Sequence, residues 1–311
     1  MTNLLGLLRS MASSLRVWVV VGAFLPVTGH CTGVLILSSR AGGAYDEVIE
    51  SIKTEVARST ELRVQYLSSA TAIWKPNETP SLVVTVGVDA ASAAMQGLDP
   101  NTPVLSVLIP RAAFDTLAAA KKEGRRPSGI YLDTPPHRQL ELVRQLLPQA
   151  RNVGVVLGNI SSRDKDTLKS AARDRGLNLV SDLAQRDSEL YPALRSVLSD
   201  SDVFLAVPDP VVINGSTAQN VLITAFRSQV PVIGFSANYV KAGALAAVYS
   251  TPRQIGLEAG QIIKAQQRSN NLPNAKYPRY FSVGVNASLM RTLGMPVADE
   301  QALEQRLLKA E

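Results

Sequence analysis

The sequence predicts an α/β protein of two lobes, each built on a parallel sheet, joined by a hinge that the chain crosses several times. Three observations predict it. From Gly33 onward, short continuous apolar runs alternate with longer amphipathic stretches, the pattern of strands buried on both faces and connected by helices. Ten such runs are present, more than a usual single sheet holds. Aromatic residues make up 5% of the 311 residues against 46% hydrophobic, so the cores are aliphatic, and the chain is long enough for two of them.

The N-terminus comes first in order. Arg9 and Arg16, with no acid among the first sixteen residues, precede an apolar run from Val17 to Val27, followed by Thr28 and Gly29. A membrane span needs about 20 apolar residues, and this run is roughly half that, so residues 1–29 read as a secretory signal and the mature chain is expected to begin close to His30. Two arginines leave with it, which lowers the net charge from +6 to about +4. Cys31, the only cysteine, excludes an internal disulfide and a cysteine-rich metal site. It is either an inert thiol or the acylated cysteine of a lipoprotein, and His30 stands where the lipoprotein pattern wants a small residue.

The apolar runs place strands at 33–39, 62–67, 82–87, 103–109, 129–132, 152–158, 177–182, 202–209, 230–236 and 243–250. Helical stretches fall at 43–58, 89–97, 111–123, 136–147, 163–175, 187–199, 215–228 and 252–268. The stretch 136–147 puts Leu140, Val143, Leu146 and Leu147 on one face and enters through Pro135 and Pro136, as helices favour. The polar segment "KKEGRRPSG" ends a first lobe and a fresh βαβ series begins near Tyr131. The helix at 252–268 has the pattern of one that returns to the first lobe, and the segment 277–285 crosses again. The expected organisation is therefore 30–130 plus 251–276 as one lobe and 131–250 plus 277–311 as the other, with several crossings forming a hinge.

In open α/β sheets ligands bind beyond the carboxyl ends of the strands, where helix N-termini present free N–H groups. That rule nominates Ser38, Ser39 and Arg40 after the first strand, Gly87, Val88 and Asp89 after the third, and Arg111 after the fourth. In the second lobe it nominates Tyr131 and Asp133 at the crossing, Asp209 and Asn214 in "VPDPVVINGS", and Ser236. Arg40 suits a carboxylate in bidentate fashion, and Asp209 suits an ammonium. The alternatives are structural: the glycines of "SSRAGG" permitting a tight turn, and Asp89, Asp209 and Asn214 capping helices. Tyr131, Phe235 and Tyr239 either stack on a flat ligand or pack.

Enzyme chemistry lacks its parts. The histidines are His30 and His137, and the chain holds no Gly-x-Ser-x-Gly elbow, no His-Glu-x-x-His and no Gly-Lys-Ser/Thr phosphate loop. The run "RDKD" at 163–166 reads as a solvated helix start. No cofactor or metal is expected, and a small positive charge without a basic block argues against nucleic acid.

Several segments carry a resemblance: "VLILSSRAGGAYDEVIESIK", "LVVTVGVDAASAAM", "SGIYLDTPPHRQLELVRQLLPQARNVGVVLG", the block 201–263, and the closing "YFSVGVNASLMRTLGMPV". Over residues 33–297 the chain resembles the ABC-transporter substrate-binding family related to tryptophan- and tyrosine-binding periplasmic proteins. The resemblance implies a type I periplasmic-binding fold of two Rossmann-like lobes, a small-molecule ligand in the cleft, a periplasmic location and an ABC permease in the inner membrane as partner. A monomer is expected; a sensory module coupled to a receptor or histidine kinase is the first alternative and an α/β enzyme the second. Pro110-Arg111 stands where the family often has Asp-Pro, and Ser38-Ser39-Arg40 also departs from many relatives. Both places face the cleft, so the family's ligands do not carry over to this chain.

Overall fold

The computed structural model describes residues 33–56, 60–67, 80–121 and 123–310. The expected signal segment, His30 and Cys31 lie outside the described residues.

The first sheet contains β1 (Val34–Ser38), β2 (Leu62–Tyr66), β3 (Leu82–Val86), β4 (Val104–Ile109) and β5 (Ser128–Tyr131) in the order β2-β1-β3-β4-β5, all parallel. Every residue of β1, β3 and β4 is buried, which is why these strands read as continuous apolar runs. Helices α1 (Gly43–Val56), α2 (Val88–Gly97) and α3 (Arg111–Ala119) connect them.

Helices α4 (Pro136–Leu146), α5 (Lys165–Arg173), α6 (Asp187–Ser199), α7 (Ala218–Arg227) and α8 (Ala237–Ala242) accompany the second sheet. Its strands are β6 (Asn152–Leu157), β7 (Asn178–Leu183), β8 (Val203–Leu205), β9 (Val232–Gly234), β10 (Ala246–Tyr249) and β11 (Ser282–Val285), ordered β11-β10-β9-β8-β6-β7. Only β11 runs antiparallel, against β10. The run 202–209 yields a strand only as far as Leu205, since Pro208 and Pro210 bring no ladder donors.

The last long helix, α9 (Pro252–Ser269), leaves the second sheet and buries Ile255, Ala259, Ile262 and Ile263 among Val34, Ile36, Val48 and Ile49 of the first. It lies close on α1 because Gly256 faces it: a Cβ there would stand 2.6 Å from the Val48 carbonyl oxygen. The chain then bridges to the edge of β5 at Lys276 and Ile130 before entering β11. Two C-terminal helices follow, α10 (Ala287–Thr292) and α11 (Glu300–Lys309). The apolar periodicity of the sequence does not single out α8 or α11. The former is barely two turns long. The latter starts on an Asp299 side chain accepting the Ala302 N–H and places Leu303 and Leu307 in the second core.

At the end of β4 the pairing with β5 shifts register between Ser106 and Ile109, and Leu108 adopts a left-handed φ of 54°. A buried leucine in that region costs about 1–3 kcal/mol. The bulge re-aims the following Ile109-Pro110-Arg111 toward the gap between the sheets.

Candidate functional site

Three chain segments pass between the sheets: from β5 through Leu132 to Pro135 into α4, from β10 through Ser250 and Thr251 into α9, and from Lys276 to Phe281 into β11. They are tied to one another. Thr134 donates to the Val248 carbonyl at 3.2 Å, and Ser250 donates to the Tyr280 carbonyl at 2.6 Å. Thr251 and Gln254 form a reciprocal capping box at the start of α9. Buried Glu258 of α9 accepts the Arg279 N–H at 2.8 Å and forms an ion pair with the Lys276 ammonium at 2.7 Å, clamping the third crossing.

Against these crossings sits a cavity of about 410 Å³, within the usual size of small-molecule sites. The bulged end of β4 contributes Pro110 and Arg111, and the crossings contribute Asp133, Tyr249, Thr251 and Tyr277. The second sheet's strand ends and helices contribute Gln139, Asp164, Leu168, Phe235, Ser236 and Asn238. The lining is mostly apolar, with a few polar groups that converge.

Arg111 joins the two sides. Its main-chain N–H donates to Asp133 Oδ2 at 2.5 Å, and its guanidinium pairs with Asp164, which lies in the 3-10 turn ahead of α5. Asp115, one helical turn along α3, lies 3.7 Å from the same guanidinium. Burial pushes the Asp133 carboxyl above its ordinary range, against the lowering effect of the Arg111 N–H. Burial likewise raises the phenols of Tyr131, Tyr249 and Tyr277, so these rings present neutral hydroxyls.

Arg111, Asp133 and Ser236 line this cavity together. Ser236 also accepts the Tyr239 N–H at 3.2 Å and so caps α8. Tyr131 stands one layer behind, edge-on to Tyr277 at 5.3 Å and to Phe114 at 5.5 Å. Phe235 lies on the lining with its ring stacked 5.2 Å from buried Tyr239, so the first is available to a flat ligand and the second packs.

The loops after β1 and β3 are occupied with each other. Buried Ser38 donates to the Arg40 carbonyl at 2.7 Å, and Ser39 accepts the Ala90 N–H at 2.9 Å, capping α2 from outside its own segment. Gly87 has φ 93°, and a Cβ there would press on Ser39 and Tyr45. Val88 and Asp89 are exposed in the first turn of α2, and Arg40 is exposed with its guanidinium 5.3 Å above the Tyr45 ring. None of these six residues borders the 410 Å³ cavity.

Two expectations need correcting. Asp209 is 3% exposed, does not border the cavity, and accepts its hydrogen bonds inside the second lobe. Its Oδ2 takes the N–H groups of Ile160 and Ser161 and the Ser161 hydroxyl at 2.9–3.1 Å, and Oδ1 takes the Val211 N–H at 2.9 Å. Asn214 accepts from Ser216 and Thr217 and donates to the Pro210 carbonyl at 2.7 Å, building the turn before α7. It shapes that turn without capping α7, whose N-cap is Thr217.

Sequence reasoning missed Asp164, Leu168, Tyr249 and Tyr277. Asp164 sits in "RDKD", which looked like a solvated helix start; its charge pattern held no sign that Arg111 would face it from the other lobe. Among the described residues no group of three or more His, Cys, Asp or Glu side chains could hold a metal ion, and no helix is long and apolar enough to cross a membrane.

Comparison with known proteins places this geometry. The chain is 22% identical over 189 residues to a tyrosine-binding protein of Clostridioides difficile, a match spanning 60% of this chain and 54% of that relative. The ligand-free, open structure of a substrate-binding protein with adhesive properties from Clostridium difficile superimposes with TM-score 0.68 at 18% identity, covering 86% of this chain and 96% of that one. The ABC domain in complex with L-Trp from Streptococcus pneumonia gives TM-score 0.59 at 16% identity, covering 88% and 97%. These likenesses show the type I periplasmic-binding fold. The family model for ABC transporter substrate binding proteins matches residues 65–299, three quarters of the sequence, and with the two-sheet fold in place the chain belongs to that family of substrate-binding proteins.

Proposed function

We propose that this protein is the periplasmic solute-binding component of an ABC transporter, holding a small polar or amino-acid-like molecule between two lobes. In this reading 30–130 plus 251–276 move as one lobe and 131–250 plus 277–311 as the other, and the three crossings are the hinge. The observation that carries it is the cavity bounded by all three crossings, with Arg111 from one side paired to Asp164 from the other. A ligand seated there touches both lobes and the hinge at once. It therefore binds the closed arrangement better than the open one, which is the condition for a ligand to shift a hinge equilibrium. The closed form then docks, as a monomer, on an inner-membrane permease. Cleavage near His30 delivers the chain to the periplasm, and no chemical step is needed at the site.

Native mass spectrometry of protein purified from its host, followed by calorimetry with amino acids and aromatic metabolites, tests the reading. The expected result is a stoichiometric small molecule, with a smaller radius of gyration by X-ray scattering on saturation. A protein that binds nothing in the panel and carries nothing from its host refutes it. Intact mass of the periplasmic protein checks export: a product retaining residues 1–29 contradicts it, and a diacylglycerol on Cys31 identifies a lipoprotein.

A further inference from the structure

The cavity has three charged side chains on its lining, Arg111, Asp133 and Asp164, and their pairing decides what charge a ligand can bring. Arg111 is already committed. Its guanidinium is held by Asp164 across the gap and flanked by Asp115 at 3.7 Å. A third carboxylate, brought by a ligand, has to displace Asp164 or sit among three anions, Asp133 included.

Asp133 is placed differently. It accepts the Arg111 N–H on Oδ2 and feels the Arg111 charge, but among the described residues no side-chain cation forms an ion pair with it. Its burial makes a bare carboxylate costly and a paired one favourable, which is the electrostatic setting for capturing a cation. The lining therefore carries two carboxylates against one guanidinium. Around them stand the rings of Phe235, Tyr249 and Tyr277, whose faces attract both aromatic groups and cations.

We infer that the ligand is a monocationic aryl-alkyl amine, its ammonium paired with Asp133 and its ring set among Phe235, Tyr249 and Tyr277, and that a carboxylate on the ligand is selected against by the Arg111–Asp164 pair. The inference rests on the solute-binding reading and narrows its ligand class. Selection by an unfavourable charge match is specificity by rejection, which does not require tighter contacts to the correct molecule.

Three compounds sharing one phenyl ring test it: 2-phenylethylamine (cation), L-phenylalanine (zwitterion) and 3-phenylpropionate (anion), titrated calorimetrically into the full mature protein. The amine should bind at least about tenfold tighter than the acid, with the zwitterion between them. Asp133→Asn should weaken the amine about tenfold or more and leave the acid unchanged or tighter. Asp164→Asn, which releases Arg111 without touching Asp133, should instead tighten the acid and the zwitterion; this second variant keeps the test sound if the first folds poorly. An acid that binds as tightly as the amine, or an amine-to-acid ratio unmoved by Asp133→Asn, overturns the charge assignment and leaves solute binding standing. Binding of none of the three overturns the inference, and the broader reading falls with it only if the wide panel and native mass spectrometry are also empty.

Discussion

Replacing Asp209 by alanine separates a structural carboxylate from a ligand-binding one. In the structure this substitution removes the acceptor of three N–H groups, from Ile160, Ser161 and Val211, and of the Ser161 hydroxyl. Ser161 in turn accepts the Gly158 N–H at 2.9 Å, so the whole turn after β6 is organised around this one side chain. Hydrogen bonds to a charged acceptor are worth roughly 1.5–3 kcal/mol each, but they share one carboxylate and do not add. A loss of about 3–5 kcal/mol is the reasonable scale for a buried, hydrogen-bonded charge. For a chain of this size about 2–4 °C of melting temperature goes with each kcal/mol, so a drop of roughly 6–20 °C is expected by scanning calorimetry. Ligand affinity at a temperature where the variant is folded should change less than about threefold, since Asp209 does not border the cavity. Gly158→Ala should mimic the defect, because an added Cβ would overlap the Asp209 carboxylate. The reasoning is refuted if Asp209→Ala melts like the parent while its ligand affinity collapses.

Other outcomes follow from the same geometry. Gly256→Ala places a Cβ 2.6 Å from the Val48 carbonyl oxygen and from the Ser51 Cβ, so α9 must move away from α1; a loss of about 1–3 kcal/mol in denaturant unfolding is expected, and none would mean the helices have room to spare. Thr251→Ala removes half of the capping box at the second crossing and should cost about 1 kcal/mol by the same measurement, with Thr251→Ser restoring most of it. Asp133 titrates above its ordinary range because burial disfavours its charge. Its contribution to stability is present below the unfolded-state pKa and is lost as pH rises through the raised folded-state pKa. Asp133→Asn should therefore melt higher than the parent at pH 7, and the gap should close as pH falls through the carboxylate range. Ligand-free melting curves from pH 3.5 to 8 check this, and a variant less stable than the parent at pH 7 contradicts it.

The α/β class, the presence of two sheets and the family were legible in the sequence because they rest on local or repeating signals. Strands buried on both faces are apolar whatever surrounds them, as β1, β3 and β4 are. Such signals need no knowledge of which residues meet in space. The strand-end rule likewise reached Arg111, Asp133 and Ser236, which border the cavity, because the carboxyl edge of a parallel sheet is a property of topology alone. What the rule could not do was tell a carboxylate facing the cleft from one facing its own lobe. Asp133 and Asp209 both end an apolar strand run, yet the first lines the cavity and the second holds a turn together. The difference is one of side-chain direction, which depends on a Ser161 lying 48 residues away in sequence. Tertiary structure alone also brought Arg111 to Asp164, by the Leu108 bulge and the three crossings, and set the charge balance of the cavity. Charge pairing between lobes depends on distances that sequence spacing does not encode. The sequence by itself therefore determined the scaffold and the edge on which the site is built, and only the folded chain decided which of its charges are free.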